Sequence, residues 1–301
     1  MRGQGWARRA ALPEFPWDRL APYAGTARNH PGGLVDLSIG TPVDPTPELV
    51  QAALRAAADA PGYPLTIGTP ALREAVVRWC AHRLGAEVTA ANVVPSIGSK
   101  ELVSLLPSLL GLPAGSQVLL PRLAYPTYDV GARLAGCVPV PTDDPTAHNP
   151  ADVGLVWLNS PGNPTGEVLS PDRLAAVVAW GREHDVLVAS DECYLELGWD
   201  AEPVSVLHPS VCGGSSDGVL ALHSLSKRSN LAGYRAGFAV GDAAAVAAVT
   251  EARKHLGLLV PAPVQAALVA ALGDDGHVAA QRARYCSRRT ALKAAVEAAG
   301  F

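Results

Sequence analysis

Residues 219–235 read VLALHSLSKRSNLAGYR, an apolar run followed at once by a lysine that lies between hydroxyl-bearing residues. The run at 219–222 is typical of a β-strand buried on both faces, and similar runs occupy residues 117–120, 155–158 and 186–189. Helical patterns separate these runs, for example at 102–110 and at 171–184, where Ser170 and Pro171 form a helix start. This alternation predicts an α/β fold with a mostly parallel sheet flanked by helices, and ligands at the carboxyl ends of its strands.

The composition excludes several classes of protein. The chain has 301 residues, of which 49% are hydrophobic and 17% charged, and its net charge is −4. These values are those of a folded domain, and they argue against nucleic acid or an anionic membrane as the main partner. We find neither a secretory signal nor an apolar run of membrane-spanning length, so we expect a cytoplasmic protein. The five cysteines are scattered without a C-x-x-C pair, which argues against a disulfide framework and against a cysteine-based metal site.

Lys227 is the strongest candidate for a catalytic residue. It follows a predicted strand, has Ser224 and Ser226 beside it, and precedes Arg235 by eight residues. Only four of the 24 basic residues are lysines, and a lysine can form an imine whereas an arginine cannot. Taken alone, the pattern is more typical of a solvated surface lysine.

Three further polar segments follow or precede predicted elements. Residues 159–166, NSPGNPTG, present two asparagines but also read as a tight turn. Residues 190–194, SDECY, place Asp191 and Tyr194 after a strand, where Asp191 has the alternative role of a helix N-cap. Residues 96–101, SIGSKE, open a helix whose N–H groups suit a phosphate, although the match to known phosphate loops is weak.

Together, these segments resemble the class I aminotransferases of the fold-type-I superfamily that depends on pyridoxal phosphate. Order and spacing agree over residues 36–255. The resemblance implies a sheet of seven strands, an N-terminal arm at 1–35, a large cofactor-binding domain at 36–262, and the start of a small C-terminal domain at 263–301. The family's C-terminal arginine, which binds the substrate carboxylate, has no counterpart in this sequence, so we expect a truncated small domain. The arginines of the tail are expected to form a solvated face, namely Arg282, Arg284, Arg288 and Arg289.

The resemblance assigns a role to each candidate residue. Lys227 binds pyridoxal phosphate covalently and is the catalytic acid and base, and Asp191 pairs with the ring nitrogen. The phenolic oxygen of the cofactor is bound by Tyr194 and Asn163, and Tyr125 stacks on the ring. The phosphate is held by Gly98, Ser99, Lys100, Ser224, Ser226 and Arg235.

The resemblance also implies a homodimer and a substrate site. Tyr63 would reach the phosphate in the other subunit, while Gly40 and Asn163 would contact the substrate. Within the family, segments such as VDLSIGTPVDPTPELVQAAL at 35–54 resemble the aminotransferases that act on N-succinyl-LL-2,6-diaminopimelate and 2-oxoglutarate in lysine biosynthesis.

Three other functions stay open: a different aminotransferase specificity, a lyase that uses the same cofactor, and an inactive truncated homologue. A transcriptional sensor is disfavoured, because an arm of about 35 residues is too short for a DNA-binding domain.

Overall fold

A computed structural model describes residues 12–300, and seven of its strands form one sheet. The sheet order is β1-β7-β6-β5-β4-β2-β3. Only β7 runs antiparallel to its neighbours in this sheet. The predicted α/β class and mostly parallel seven-stranded sheet are therefore confirmed. The strands are β1 Val93–Ile97, β2 Gln117–Leu120, β3 Val138–Pro141, β4 Val153–Asn159, β5 Leu187–Asp191, β6 Val219–Ser224 and β7 Ala236–Gly241.

Eleven α-helices lie within residues 12–300. The predicted cap of one of them is formed as expected, since Ser170 Oγ accepts a hydrogen bond from Arg173 N at 3.2 Å. Residues 12–34, part of the predicted N-terminal arm, contain the first helix. The helices are α1 Ala21–Arg28, α2 Glu48–Ala56, α3 Pro70–Trp79, α4 Gly98–Leu109, α5 Thr127–Leu134, α6 Pro171–Glu183, α7 Pro209–Cys212, α8 Leu225–Arg228, α9 Ala243–Leu256, α10 Ala262–Leu272 and α11 Gly276–Ala298.

Apolar side chains pack on both faces of the sheet. One face buries Val188 with Trp79 and Phe238, and the other buries Ala189 with Trp157. Each large side chain removed from water contributes about 1.5–3 kcal/mol to folding. The central strands are therefore held in place by buried contacts on both faces, and the site residues lie at the ends of these strands. No helix within residues 12–300 is long and apolar enough to span a bilayer.

Candidate active site

The carboxyl ends of the strands place the predicted site residues along one edge of the sheet. Asn159 at the end of β4 pairs in register with Asp191 at the end of β5, and Ser224 closes β6. Because β7 is antiparallel, its first residue, Ala236, lies beside Ile97 at the end of β1. The edge thus brings Arg235, which precedes β7, to the start of α4.

Asp191 is a buried carboxylate whose partners within residues 12–300 are polar but uncharged. Its Oδ2 accepts a hydrogen bond from Tyr128 Oη at 3.0 Å, and its Oδ1 accepts one from Cys193 N at 3.2 Å. Burial raises its pKa, while these hydrogen bonds oppose the increase. It forms no ion pair with any residue in 12–300. Asp191 is the last residue of β5, and the alternative of a helix N-cap is wrong.

Lys227 is partly buried in α8, three residues after β6 ends. Its ammonium group donates a hydrogen bond to the carbonyl of Gly40, a residue predicted to contact substrate. Burial lowers the pKa of Lys227. A larger fraction of the amine is therefore neutral at a given pH than in a solvated lysine. The alternative of a fully solvated surface lysine is wrong.

Gly98 and Arg235 form a tight corner at the start of α4. Both residues adopt the left-handed conformation, with φ values of +69° and +55° respectively. A Cβ on Gly98 would lie 2.8 Å from Arg235 Cζ, so the guanidinium occupies the space that a side chain would take. Arg235 donates to the Ala232 carbonyl at 2.9 Å. The corner sets a guanidinium beside helix N–H groups, an arrangement that suits an anion.

The two predicted serines contact each other next to Lys227. Ser224 Oγ lies 2.9 Å from Ser226 Oγ and accepts a hydrogen bond from Ser226 N at 3.2 Å. The Ser224 side chain thereby caps α8. Two hydroxyl groups therefore lie at the end of β6, next to Lys227 in the chain.

Tyr125, Tyr194 and Lys100 lie around the same edge. Lys100 Nζ is 5.8 Å from the centre of the Tyr125 ring, at a distance typical of a cation–π contact. Burial raises the pKa of Tyr194, and the nearby Cys193 and Asp191 raise it further. The Tyr194 phenol is therefore protonated at neutral pH and can donate a hydrogen bond.

Within residues 12–300, the side chains of Tyr63, Asn163 and Ser99 form no hydrogen bond to this group. Tyr63 is 97% exposed. Asn163 contributes its backbone N–H, which donates to Asn159 Oδ1 at 2.7 Å. Ser99 lies in the first turn of α4 beside Gly98.

The sequence did not identify Tyr128 as a supporting residue, and it singled out Asn159 only as one of two asparagines after a strand. Tyr128 is fully buried and donates to Asp191, and the side chain of Asn159 donates to the Asp191 carbonyl at 2.9 Å. Asn159 opens the NSPGNPTG segment, and Tyr128 follows Tyr125 by three residues. The available signals were the position of Asn159 at a predicted strand end and that of Tyr128 in a helix. Neither signal predicts that the residue binds Asp191.

The arginines of the tail are largely exposed, as predicted: Arg282, Arg284 and Arg288 are exposed and Arg289 is half-buried. Three of them also bind neighbouring segments. Arg288 forms two hydrogen bonds of 2.6 Å to the Asp44 carboxylate. Arg289 pairs with the Asp200 carboxylate, and Arg282 lies 4.9 Å from the centre of the Trp199 ring. These arginines attach α11 to the segments around residues 44 and 200, because their planar groups bind carboxylates and aromatic faces well.

Comparisons with known proteins give a consistent result. The family model described as aminotransferase class I and II matches residues 33–301. The chain is 57% identical to the 4-dedimethylamino-4-oxo-anhydrotetracycline transaminase OxyQ of Streptomyces rimosus, covering 96% of this chain and 81% of that protein. It is 60% identical to a probable aminotransferase of Mycobacterium tuberculosis, covering 97% and 70%. A solved structure of a probable N-succinyldiaminopimelate aminotransferase from Thermus thermophilus superposes with a TM-score of 0.84 at 28% identity, covering 94% of this chain and 80% of that one.

Proposed function

The chain belongs to the aminotransferase class I and II family, and we propose that it transfers amino groups with Lys227 as its catalytic residue. The family depends on pyridoxal phosphate. The observation that supports this role is the position of a partly buried lysine beside the buried Asp191 and the Gly98–Arg235 corner, at one edge of the sheet.

The residues at this edge fit pyridoxal phosphate. Asp191 lacks a cation within residues 12–300, and a protonated ring nitrogen would supply one. The corner of Gly98 and Arg235, with the hydroxyls of Ser224 and Ser226, offers donors for a phosphate. We therefore assign the ring to Asp191 and the phosphate to the corner.

Lys227 performs the proton transfers in this proposal. Pyridoxal phosphate supplies an aldehyde that condenses with amines and a ring system that accepts the electron pair left when the substrate loses its Cα proton. The lowered pKa of Lys227 favours its neutral amine, whose Nζ can take that proton and return it to the opposite end of the conjugated system. Arginine is too basic for either step.

Other residues of the edge orient the reacting groups. Asp191 remains ionised when it faces a cation, because an opposite charge offsets the cost of its burial. Tyr194, whose pKa is raised, donates a hydrogen bond toward an anionic phenolic group, together with Asn163. Tyr125 supplies an aromatic face.

For the substrate, we propose N-succinyl-LL-2,6-diaminopimelate as amino donor and 2-oxoglutarate as acceptor. Support comes from the sequence likeness at 35–54 and from the superposition on the Thermus thermophilus structure. A second candidate is a polycyclic ketone of the tetracycline type, favoured by 57% identity to the Streptomyces rimosus transaminase.

The test has two steps. Borohydride reduction of the loaded protein followed by peptide mapping should place the cofactor on Lys227. The loaded protein is then mixed with single amino acids in the absence of a keto acid. Conversion of the cofactor to its amine form by N-succinyl-LL-2,6-diaminopimelate, and not by aromatic amino acids, supports the proposed substrate.

The same assay separates the alternatives. Formation of product without the amine form of the cofactor would indicate a lyase. No reaction with any amino acid, despite labelling of Lys227, would indicate an inactive homologue. Turnover of an aminotetracycline but not of the succinylated substrate would establish the second candidate.

A further inference from the structure

A chain of hydrogen bonds, buried at Asn230 and Gln281 and half-buried at Asp44, joins the segment that carries Lys227 to the segment that carries Gly40. Asn230, three residues after Lys227, is buried and adopts φ +56°. Its Nδ2 donates to Gln281 Oε1 at 2.9 Å, and Gln281 Nε2 donates to Asp44 Oδ2 at 2.7 Å. Asp44 follows Gly40 by four residues. We call the series Asn230–Gln281–Asp44 the amide relay.

Helix α11 holds the amide relay with two further side chains. Tyr285 Oη donates to Asn230 Oδ1 at 2.7 Å, and Arg288 binds both oxygens of Asp44. Gln281, Tyr285 and Arg288 lie four and three residues apart, and therefore on one face of the helix. That face is directed at both segments.

The carboxylate of Asp44 sets the direction of every bond in the relay. A carboxylate only accepts, so the Gln281 amide must turn its NH₂ group toward Asp44 and its oxygen toward Asn230. The Asn230 NH₂ group must then face Gln281, which leaves its oxygen for the Tyr285 hydroxyl. Each amide has one satisfied orientation, and buried networks that are fully satisfied stabilise a single geometry.

We propose that the amide relay is a positioning device, in which Asn230, Gln281 and Asp44 fix the distance between Lys227 and the Gly40 segment. The lysine ammonium already donates to the Gly40 carbonyl, so the two segments meet at the reacting group. The amide relay connects the two segments through Gln281 of α11 and thereby holds this contact in place. This inference rests on the proposed catalytic role of Lys227.

The first variant is Gln281→Glu, which has nearly the same shape but cannot donate to Asp44 when ionised. It places two carboxylates together and removes the relay's central donor. We expect amide hydrogen exchange in residues 36–46 and 225–231 of the cofactor-free protein to accelerate about tenfold. In the loaded enzyme we expect kcat to fall about tenfold. Glu297→Gln, a matched exchange at an exposed position of α11, should change neither quantity.

The second variant reverses the polarity of the relay. In the double variant Asp44→Asn with Gln281→Glu, the new amide at position 44 donates to the new carboxylate at position 281, which still accepts from Asn230. Exchange and kcat should both recover at least about threefold relative to Gln281→Glu. Recovery is incomplete, because Arg288 binds both oxygens of Asp44 and keeps only one acceptor in the amide. A merely local packing defect would not be repaired by a second substitution across the interface.

The outcomes distinguish this proposal from the proposed function. Unchanged exchange in Gln281→Glu, or a double variant no better than the single one, would overturn the positioning role. If the wild-type protein proves inactive, the exchange measurements still test the relay, because they need neither cofactor nor turnover. Melting temperatures identify a variant that fails to fold, and Gln281→Leu then replaces it as the variant without a donor.

Discussion

Lys227 differs from the other lysines of the chain in its surroundings. Its amine is partly buried and faces the Gly40 carbonyl, whereas Lys254 and Lys293 form exposed ion pairs with glutamates on their own helices. Burial disfavours the charged form, so the pKa of Lys227 is lowered. A lysine with a lowered pKa is a more available nucleophile and base at a given pH than a solvated one.

Lys227→Arg should be as inactive as Lys227→Ala, although it keeps the positive charge. Neither variant can form the covalent bond to the cofactor or take the Cα proton, and we expect kcat to fall by more than about 1000-fold. The measurement is steady-state turnover together with the visible absorbance of the loaded protein. Lys254→Arg, at an exposed ion pair, is the control. Turnover by Lys227→Arg within about tenfold of the wild type would contradict the assignment.

Tyr128→Phe should weaken the site without altering its shape. Tyr128 donates to the Asp191 carboxylate and so stabilises its charged form, and hydrogen bonds to charged groups contribute about 1.5–3 kcal/mol. Loss of the donor raises the pKa of Asp191 further and makes its pairing with a cation less favourable. We expect cofactor affinity to fall about tenfold, measured by fluorescence titration. The exposed Tyr23→Phe should bind as the wild type does, and equal affinity in both variants would contradict this role.

At the scale of elements, glycines at the start of α4 and just beyond its end allow a controlled comparison of alanine substitutions. Gly98 and Gly111 lie at the start of α4 and two residues beyond its end, and both have positive φ. An alanine costs about 1 kcal/mol of stability at either position because of its backbone conformation. Only at Gly98 would the new methyl group meet the Arg235 guanidinium, since the space at Gly111 is open.

We therefore expect Gly98→Ala, but not Gly111→Ala, to lower the affinity for pyridoxal phosphate by at least about tenfold. Urea denaturation should show similar losses of stability in the two variants. The result that contradicts the phosphate assignment is an equal affinity of the two proteins for the cofactor.

The sequence predicted the central elements of the fold better than the peripheral ones. Strands β2, β4, β5 and β6 are apolar runs, and their predicted bounds lie within three residues of those observed. The other three strands were missed, and their sequences explain why. β1 and β3 contain prolines and lie at the two edges, where a missing N–H is tolerated.

The third missed strand, β7, contains two glycines, which lower strand propensity. Gly237 is required there by packing, since a Cβ would lie 2.9 Å from the His223 carbonyl. Such a close approach is a tertiary contact, and sequence periodicity carries no information about it. The sequence motifs identified Asp191 and Lys227. Tyr128 and Gln281 were identified only by their tertiary contacts, which no motif predicts.

At the scale of the whole molecule, exposed apolar side chains support the predicted homodimer. Val35, Leu37 and Val43, on either side of Gly40 in the chain, are each at least 78% exposed, and Tyr63 is 97% exposed. Contiguous exposed apolar surface is typical of an interaction site. We expect sedimentation equilibrium to give twice the mass of one chain.

A complementation experiment tests whether Tyr63 serves the other subunit. Tyr63→Ala and Lys227→Ala should each have low activity. When the two are mixed and allowed to exchange subunits, each mixed dimer contains one intact site. About a quarter of the sites are then functional, so activity should rise to about a quarter of the wild-type value. Activity that equals the sum of the separate variants would contradict a shared site.

The free energy of unfolding should depend on pH through a buried pair of titratable side chains, Glu192 and His223. Glu192 Oε2 lies 3.5 Å from His223 Nε2, both residues are buried, and each follows or precedes a predicted cofactor residue in the chain. Burial raises the pKa of Glu192 to about 7, against an ordinary value of 4.5. Burial lowers the pKa of His223 to about 3, against an ordinary value of 6.5.

The two shifts act in opposite directions on the free energy of unfolding. Between pH 4.5 and 7 the native Glu192 binds more protons than the unfolded one, so its contribution to stability falls as pH rises. Between pH 3 and 6.5 the native His223 binds fewer protons, so its contribution rises with pH. The contributions oppose each other from pH 4.5 to 6.5. Below that interval the contribution of His223 dominates, so stability rises with pH. Above it the contribution of Glu192 dominates, so stability falls as pH rises.

Glu192→Gln should therefore become more stable relative to the wild type as pH rises from about 4.5 to about 8. The relative gain is about 3 kcal/mol, the shift in the pKa of Glu192 converted at about 1.36 kcal/mol per unit. Urea denaturation at about pH 4.5, 6 and 8 measures it, and the exposed Glu183→Gln is the control. A constant difference across these pH values would show that Glu192 is already ionised in the native protein at pH 4.5. The carboxylate would then be stabilised by a partner strong enough to offset its burial, and a protonated His223 at 3.5 Å is the group placed to supply that charge.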